Sequence, residues 1–123
     1  KAAVRHIIRE HLLNDAIVKI DDNIAVPCEE ILYLCSEQKY SIFHTKNGNS
    51  FSSRKSMKEW AKELEEFNFC PISRSIIINL KHYKKIQEKK VILHNGISFP
   101  ISRRYTNLLK QKFDEYVLNM LRI

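Results

Sequence analysis

Five histidines and three cysteines are the residues from which a metal centre or a nucleophilic site would have to be built in this sequence. His6 and His11 lie five positions apart, which on a helix separates them by about 140° and not onto one face. His44, His82 and His94 stand at no metal-ligand spacing from a cysteine or carboxylate. His44 and His94 fall in or beside strand-like segments, where a histidine satisfied within a sheet is the expected role. Cys28, Cys35 and Cys70 are odd in number and contain no C-x-x-C pair, the pattern of reduced thiols in a cytosolic protein. Ser36-x-x-Lys39 and Ser52-x-x-Lys55 match a Ser-x-x-Lys pattern, but its companion motifs and a nucleophile elbow are missing. Glu59, Glu63 and Glu66 interleave with Lys58 and Lys62 as surface pairs of a helix. These residues specify no catalytic centre, no cofactor and no metal.

The arginines carry a more specific signal. Pro71-Ile72-Ser73-Arg74-Ser75 and Pro100-Ile101-Ser102-Arg103-Arg104-Tyr105 share a Pro-Ile-Ser-Arg tetrapeptide. In the first, Arg74 stands just ahead of the apolar Ile76–Ile78 segment. In the second, two arginines fall where the last strand meets the last helix. A guanidinium fork can bind a phosphate or the O6 and N7 of guanine bidentately, and strand ends are where a rigid sheet can present it.

Charge supports that chemistry. The chain has 123 residues, room for one domain, and a formal net charge of +7. Residues 1–53 hold six basic and seven acidic side chains, whereas 54–112 hold fourteen basic and five acidic. Solubility does not require such segregation, so a binding face for a polyanion is expected in the second region. With only Gly48 and Gly96, neither a dinucleotide-binding nor a P-loop glycine pattern can be written. The longest apolar run, Ile31–Cys35, is far short of a membrane span. There is no initiator methionine and no signal peptide, and the chain opens inside a helical pattern. A piece of a longer protein is therefore expected, with any missing domain on the N-terminal side.

The elements that must position these residues are mostly short strands. Residues 1–14 are expected to form an amphipathic linker helix (Val4, Ile7, Ile8, Leu12), with the main domain occupying 15–123. Its basic Arg5 and Arg9 would also allow adsorption to a membrane surface, although the basic excess lies elsewhere. Ala16–Ile20 and Ile24–Val26 flank a polar turn, and Pro27 ends the second arm. Ile31–Cys35 and Tyr40–Thr45 follow, separated by a Ser36-Glu37-Gln38-Lys39 loop, and Asn47-Gly48 marks a hairpin leading to a strand at Phe51. Ser56 with Glu59 forms a capping box for a helix carrying Met57, Trp60, Ala61 and Leu64. Phe69, Ile72 and Ser75–Leu80, interrupted by Pro71 at an edge or bend, then Tyr83–Ile86, Val91–Leu93 and Ile97–Ile101 return to strand character, with Asn95-Gly96 as a second hairpin turn. Residues 105–121 close the chain as an amphipathic helix. The outline is mainly β, with about ten short strands, one short central helix and a helix at each terminus.

These residues resemble a known family. Phe69-x-x-Ile72-Ser73-Arg74-Ser75-Ile76-Ile77-Ile78-Asn79-Leu80 and Leu93-x-Asn95-Gly96-x-x-Phe99-Pro100-Ile101-Ser102-Arg103-Arg104-Tyr105 are similar to the signatures of LytTR DNA-binding domains. Ile31–Leu34, His44-Thr45, Asn47-Gly48 and the Met57–Leu64 helix follow in the family's order, so the resemblance covers about residues 16–112.

The resemblance implies an elongated stack of small antiparallel sheets that reads double-stranded DNA through loops in successive major grooves. It further implies the output domain of a cytoplasmic bacterial response regulator of the two-component type, behind a receiver domain; a receiver or other regulatory domain on the N-terminal side and a homodimer on paired half-sites are the further partners expected. Carried over by motif position, Lys39, Arg74 and Arg103 would contact bases, and Ser75 and Arg104 phosphates. Ser73 stands where the family usually has histidine. Asn79 also matches the motif, but it follows an apolar strand and is read as a structural turn residue. Two other classes remain to be weighed. One is a protein-interaction module that uses the terminal helices; the other is a binder of single-stranded or structured RNA that stacks bases on Tyr33, Tyr40 and Phe43.

Overall fold

The alternation of apolar side chains along the longest strands decides the architecture. The computed structural model describes residues 16–121, so the N-terminal linker helix expected at 1–14 lies outside the described residues. Within them, ten strands form three antiparallel sheets accompanied by two α-helices. β1 (Ile17–Lys19) and β2 (Ala25–Pro27) make a hairpin across Asp21–Asn23. The central sheet has the order β5-β4-β3-β7-β6, where β3 is Ile31–Glu37, β4 Tyr40–Thr45, β5 Ser50–Ser53, β6 Phe69–Pro71 and β7 Ile76–Asn79. Pro71, which cannot donate to a ladder, sits on the edge strand β6. The third sheet has the order β10-β9-β8, from β8 (Tyr83–Gln87), β9 (Lys90–Leu93) and β10 (Ser98–Pro100).

The central sheet is covered on both faces. Ile31, Leu34, Phe43 and Ile77 face the β1–β2 hairpin and helix α1 (Met57–Leu64), whose Trp60 and Leu64 fill that core. Phe43 and Trp60 meet edge to face at 4.8 Å, a geometry worth about 0.5–1.5 kcal/mol beyond the area buried. Leu32, Cys70, Ile72 and Ile78 face the opposite way, toward Val91 and Leu93 of the third sheet and Leu109 of helix α2 (Arg103–Leu121). A slip in register between Ile31 and Tyr33 puts Ile31 and Leu34, three residues apart, in the same core. Tyr33 ties the sheets together, stacked on His44 at 4.5 Å and edge-on to Phe99 of β10 at 4.8 Å.

Local signals account for most boundaries. Ser56 caps α1, its Oγ accepting from the Glu59 N–H at 3.2 Å. Gly48 and Gly96 adopt φ of 84° and 91° in their turns. Two expectations are corrected. The Ser36–Lys39 loop shortens to Gln38-Lys39, because Ser36 and Glu37 pair with Ser41 and Tyr40 as the end of β3. The C-terminal helix begins at Arg103, two residues before 105, because Ser102 acts as its cap.

One turn was invisible in the sequence. Glu88 and Lys89 join β8 to β9 with φ of 53° and 61°, a left-handed pair made without glycine or asparagine. Replacing them by Asn-Gly is expected to stabilise the domain by about 1 kcal/mol. An unchanged urea midpoint would contradict this.

Candidate nucleic-acid interface

Strand register gathers the cations into two groups. In the central sheet, β3 and β4 close with Glu37 opposite Tyr40, leaving exposed Lys39 in a two-residue turn. The β3–β7 ladder continues past Cys35 and Ile76 as a bond from the Ser36 N–H to the Ser75 carbonyl at 2.8 Å. Arg74 therefore projects at the same sheet end as Lys39. Ser53 pairs with Ser41, which brings exposed Arg54 to this end as well.

The Arg74 loop is held by its own serines. The Ser75 N–H donates to the Ser73 Oγ at 3.1 Å, and the two hydroxyls lie 3.3 Å apart. Ser73 thus works as a local turn residue. Both Arg74 and Ser75 are exposed.

The second group forms around the start of α2. Arg103 and Arg104 occupy its exposed first turn, which holds no acidic residue. This is the positive end of the helix dipole, where a cation costs about 0.3–1 kcal/mol, so the placement does not serve stability. The Arg104 guanidinium lies 5.7 Å from the Tyr105 ring centre. Beside them runs the β8–β9 turn: Pro100 pairs with Lys90, and the Ile101 N–H donates to the Lys89 carbonyl at 3.0 Å. Sequence reading found the basic region but not Lys89 and Lys90. The pairing of β9 with β10 places them beside Arg103, and the residues of the Glu88-Lys89 turn give no hint of it.

A cavity of about 410 Å³ is lined by Arg74 of the first group and by Tyr105, which follows Arg104 in α2. The ion pairs among the described residues use Lys46, Lys55, Lys81 and Lys112, and leave Lys39, Arg74, Lys89, Lys90 and Arg103 without a carboxylate partner. The result is a cationic surface built on rigid strand ends.

Other candidates take structural places. Ser53, at the end of β5, is buried, and its Oγ accepts from Trp60 Nε1 and from the Lys55 N–H, each at 3.1 Å. His44 is partly buried with Nε2 3.3 Å from the Cys35 Sγ, and burial holds its pKa below the ordinary histidine value. Burial pushes the Cys28 thiol up to about 11 and that of Cys70 to about 12, far from a reactive thiolate. Of the aromatics named for base stacking, Phe43 is fully buried and Tyr33 is held between His44 and Phe99, leaving only Tyr40 exposed. Helix α2 folds back through Tyr105, Leu108, Leu109, Phe113 and Tyr116 onto the second core. Among the described residues no group of three or more His, Cys, Asp or Glu converges on a metal position, and no helix is long and apolar enough to cross a membrane.

Residues 21–114 match the model of the LytTr DNA-binding domain family. The transcriptional regulatory proteins LytR of Staphylococcus aureus strains bovine RF122 / ET3-1 and N315 are each 25% identical over 107 residues, covering 76% of this chain. The chain spans only 44% of their length. The fold is shared with the LytTr DNA-binding domain of a putative methyl-accepting/DNA response regulator from Bacillus cereus. That structure is 22% identical with a TM-score of 0.65, covering 79% of this chain and 95% of its own. With the matched segment running from the β1–β2 turn into α2, and including both arginine motifs, the chain belongs to the LytTr DNA-binding domain family.

Proposed function

We propose that this domain binds double-stranded DNA sequence-specifically, as the DNA-reading part of a longer bacterial transcriptional regulator of the response-regulator type. The observation that carries this is the pair of arginine-bearing strand ends whose guanidinium groups have no carboxylate partner among the described residues. Arg74 and Arg103 read base edges from loops in successive major grooves, with Lys39 beside Arg74. Ser75, Arg104, Lys89 and Lys90 hold the flanking phosphates. The regulator is cytoplasmic, residues 1–14 link the domain 15–123 to a receiver or other regulatory domain, and no catalytic step is assigned to this part.

Affinity measured against salt tests the electrostatic part. It is expected to fall steeply between low and physiological salt, and a flat response would contradict it. Replacing Lys89 and Lys90 together with alanine is expected to weaken binding to every duplex alike. It should also make the log–log salt slope shallower by about 1.8. An unchanged slope would remove both lysines from the interface.

A second copy on a paired half-site is the further partner proposed. Leu118, Met120 and Leu121 at the end of α2 are 53%, 42% and 76% exposed, apolar side chains available to it. Sedimentation of the domain on a duplex carrying two half-sites decides the stoichiometry: two copies support the dimer, and one copy contradicts it.

A further inference from the structure

The cavity beneath Arg74 has the make-up of a small-molecule site. Its volume of about 410 Å³ falls in the range of such sites. Met57 and Ala61 of α1, Pro71 and Ile77 of the central sheet, and Tyr105 of α2 form an apolar wall drawn from four elements. Lys58 and Arg74 complete the lining together with Ser73, and no carboxylate contributes. Both cations are exposed, and neither forms an ion pair among the described residues.

An apolar chamber with two free cations at its edge complements one ligand chemistry, an apolar body ending in an anion. We propose that this cavity binds a small amphipathic carboxylate, with an aryl or alkyl body against Met57, Ala61, Ile77 and Tyr105. Its carboxylate is held by Arg74, whose fork matches that group bidentately, and by Lys58. Because Arg74 is shared, occupancy displaces DNA. That consequence, unlike the binding itself, rests on the base-reading role proposed above.

Titrating the ¹⁵N-labelled domain with 4-phenylbutyrate tests the site. A dissociation constant on the order of millimolar is expected for a ligand of this size, with amide shifts centred on Met57, Ala61, Ile77 and Tyr105. The neutral 4-phenylbutyramide and the exposed-site variant Lys58→Gln should each weaken binding roughly tenfold. Ala61→Trp should fill the chamber and abolish it. Ala61 is half-buried, so if this variant does not fold, the amide and Lys58→Gln decide alone.

Shifts spread over Lys39, Lys84 and Lys89, reproduced by acetate and unchanged in Lys58→Gln, would overturn the proposal in favour of adsorption to a basic surface. So would no shifts at all. Phenylbutyrate is expected to compete with DNA in the unsubstituted domain. Saturable binding in the cavity that leaves DNA affinity unchanged would overturn the competition and the DNA role of Arg74, while the carboxylate site would stand.

Discussion

Replacing Asn79 with leucine is expected to destabilise the domain by about 3–4 kcal/mol, a large share of the stability of a chain this size. Asn79 is 3% exposed at the end of β7. Its Nδ2 donates to the carbonyls of Cys28 and Ile31 at 3.1 and 2.9 Å, and its Oδ1 accepts from the Lys81 N–H at 3.1 Å. One side chain thereby fixes the turn before β3, the start of β3 and the turn after β7, which are about fifty residues apart in sequence. Leucine has the same branching but is bulkier, and it leaves the Ile31 carbonyl and the Lys81 N–H without a partner and the Cys28 carbonyl with only the Ile31 N–H, each lost bond to a buried group costing about 1–3 kcal/mol. Asn79→Asp keeps the acceptor for Lys81 but loses both donors, so it should be no better tolerated at neutral pH. Urea unfolding measures both. A loss below about 1 kcal/mol for the leucine variant would show that water reaches those carbonyls. The DNA affinity of the folded fraction should not change, because Asn79 faces inward.

The second large effect concerns the interface. The double variant Arg74→Ala with Arg103→Ala is expected to lose about 2–6 kcal/mol on its preferred duplex, about 1–3 from each arginine, and far less on a scrambled one. Equal losses on the two duplexes would reduce both residues to phosphate clamps. Folding should survive. Both side chains are exposed, and removing Arg103 relieves a cation at the positive end of α2, which is expected to raise stability by a few tenths of a kcal/mol. Such opposed signs, lower affinity with equal or higher stability, are what a functional cation at a helix start should give.

The legible parts of the fold were those with a short-range cause. Asn47-Gly48 and Asn95-Gly96 supply the left-handed residues of their turns, Ser56 and Glu59 announce α1, and Tyr40–Thr45 is bounded as its alternation suggests. Asn79 was recognisable as a structural residue from the buried strand before it, although its partners were not. Where the cause is long-range, the sequence was silent. Ile76-Ile77-Ile78 reads simply as an apolar run; only the packing shows Ile77 in one core and Ile76 and Ile78 against the other. The polar appearance of Ser53 hides its bond to Trp60, seven residues on.

The candidate site divides in the same way. Arg74 and Arg103 could be named from their motifs. Lys89 and Lys90 could not, because they reach Arg103 through the ladder of β9 with β10 and through a left-handed turn made of residues with little preference for one.

Selection of bound sequences from a pool of random duplexes tests sequence-specific reading most directly. The domain is expected to enrich a short motif, in two related copies if it binds as a dimer, and the Arg74→Ala, Arg103→Ala variant should enrich none. A pool that stays random with the unsubstituted domain, or a motif that the double variant recovers unchanged, would contradict sequence reading through these two strand ends.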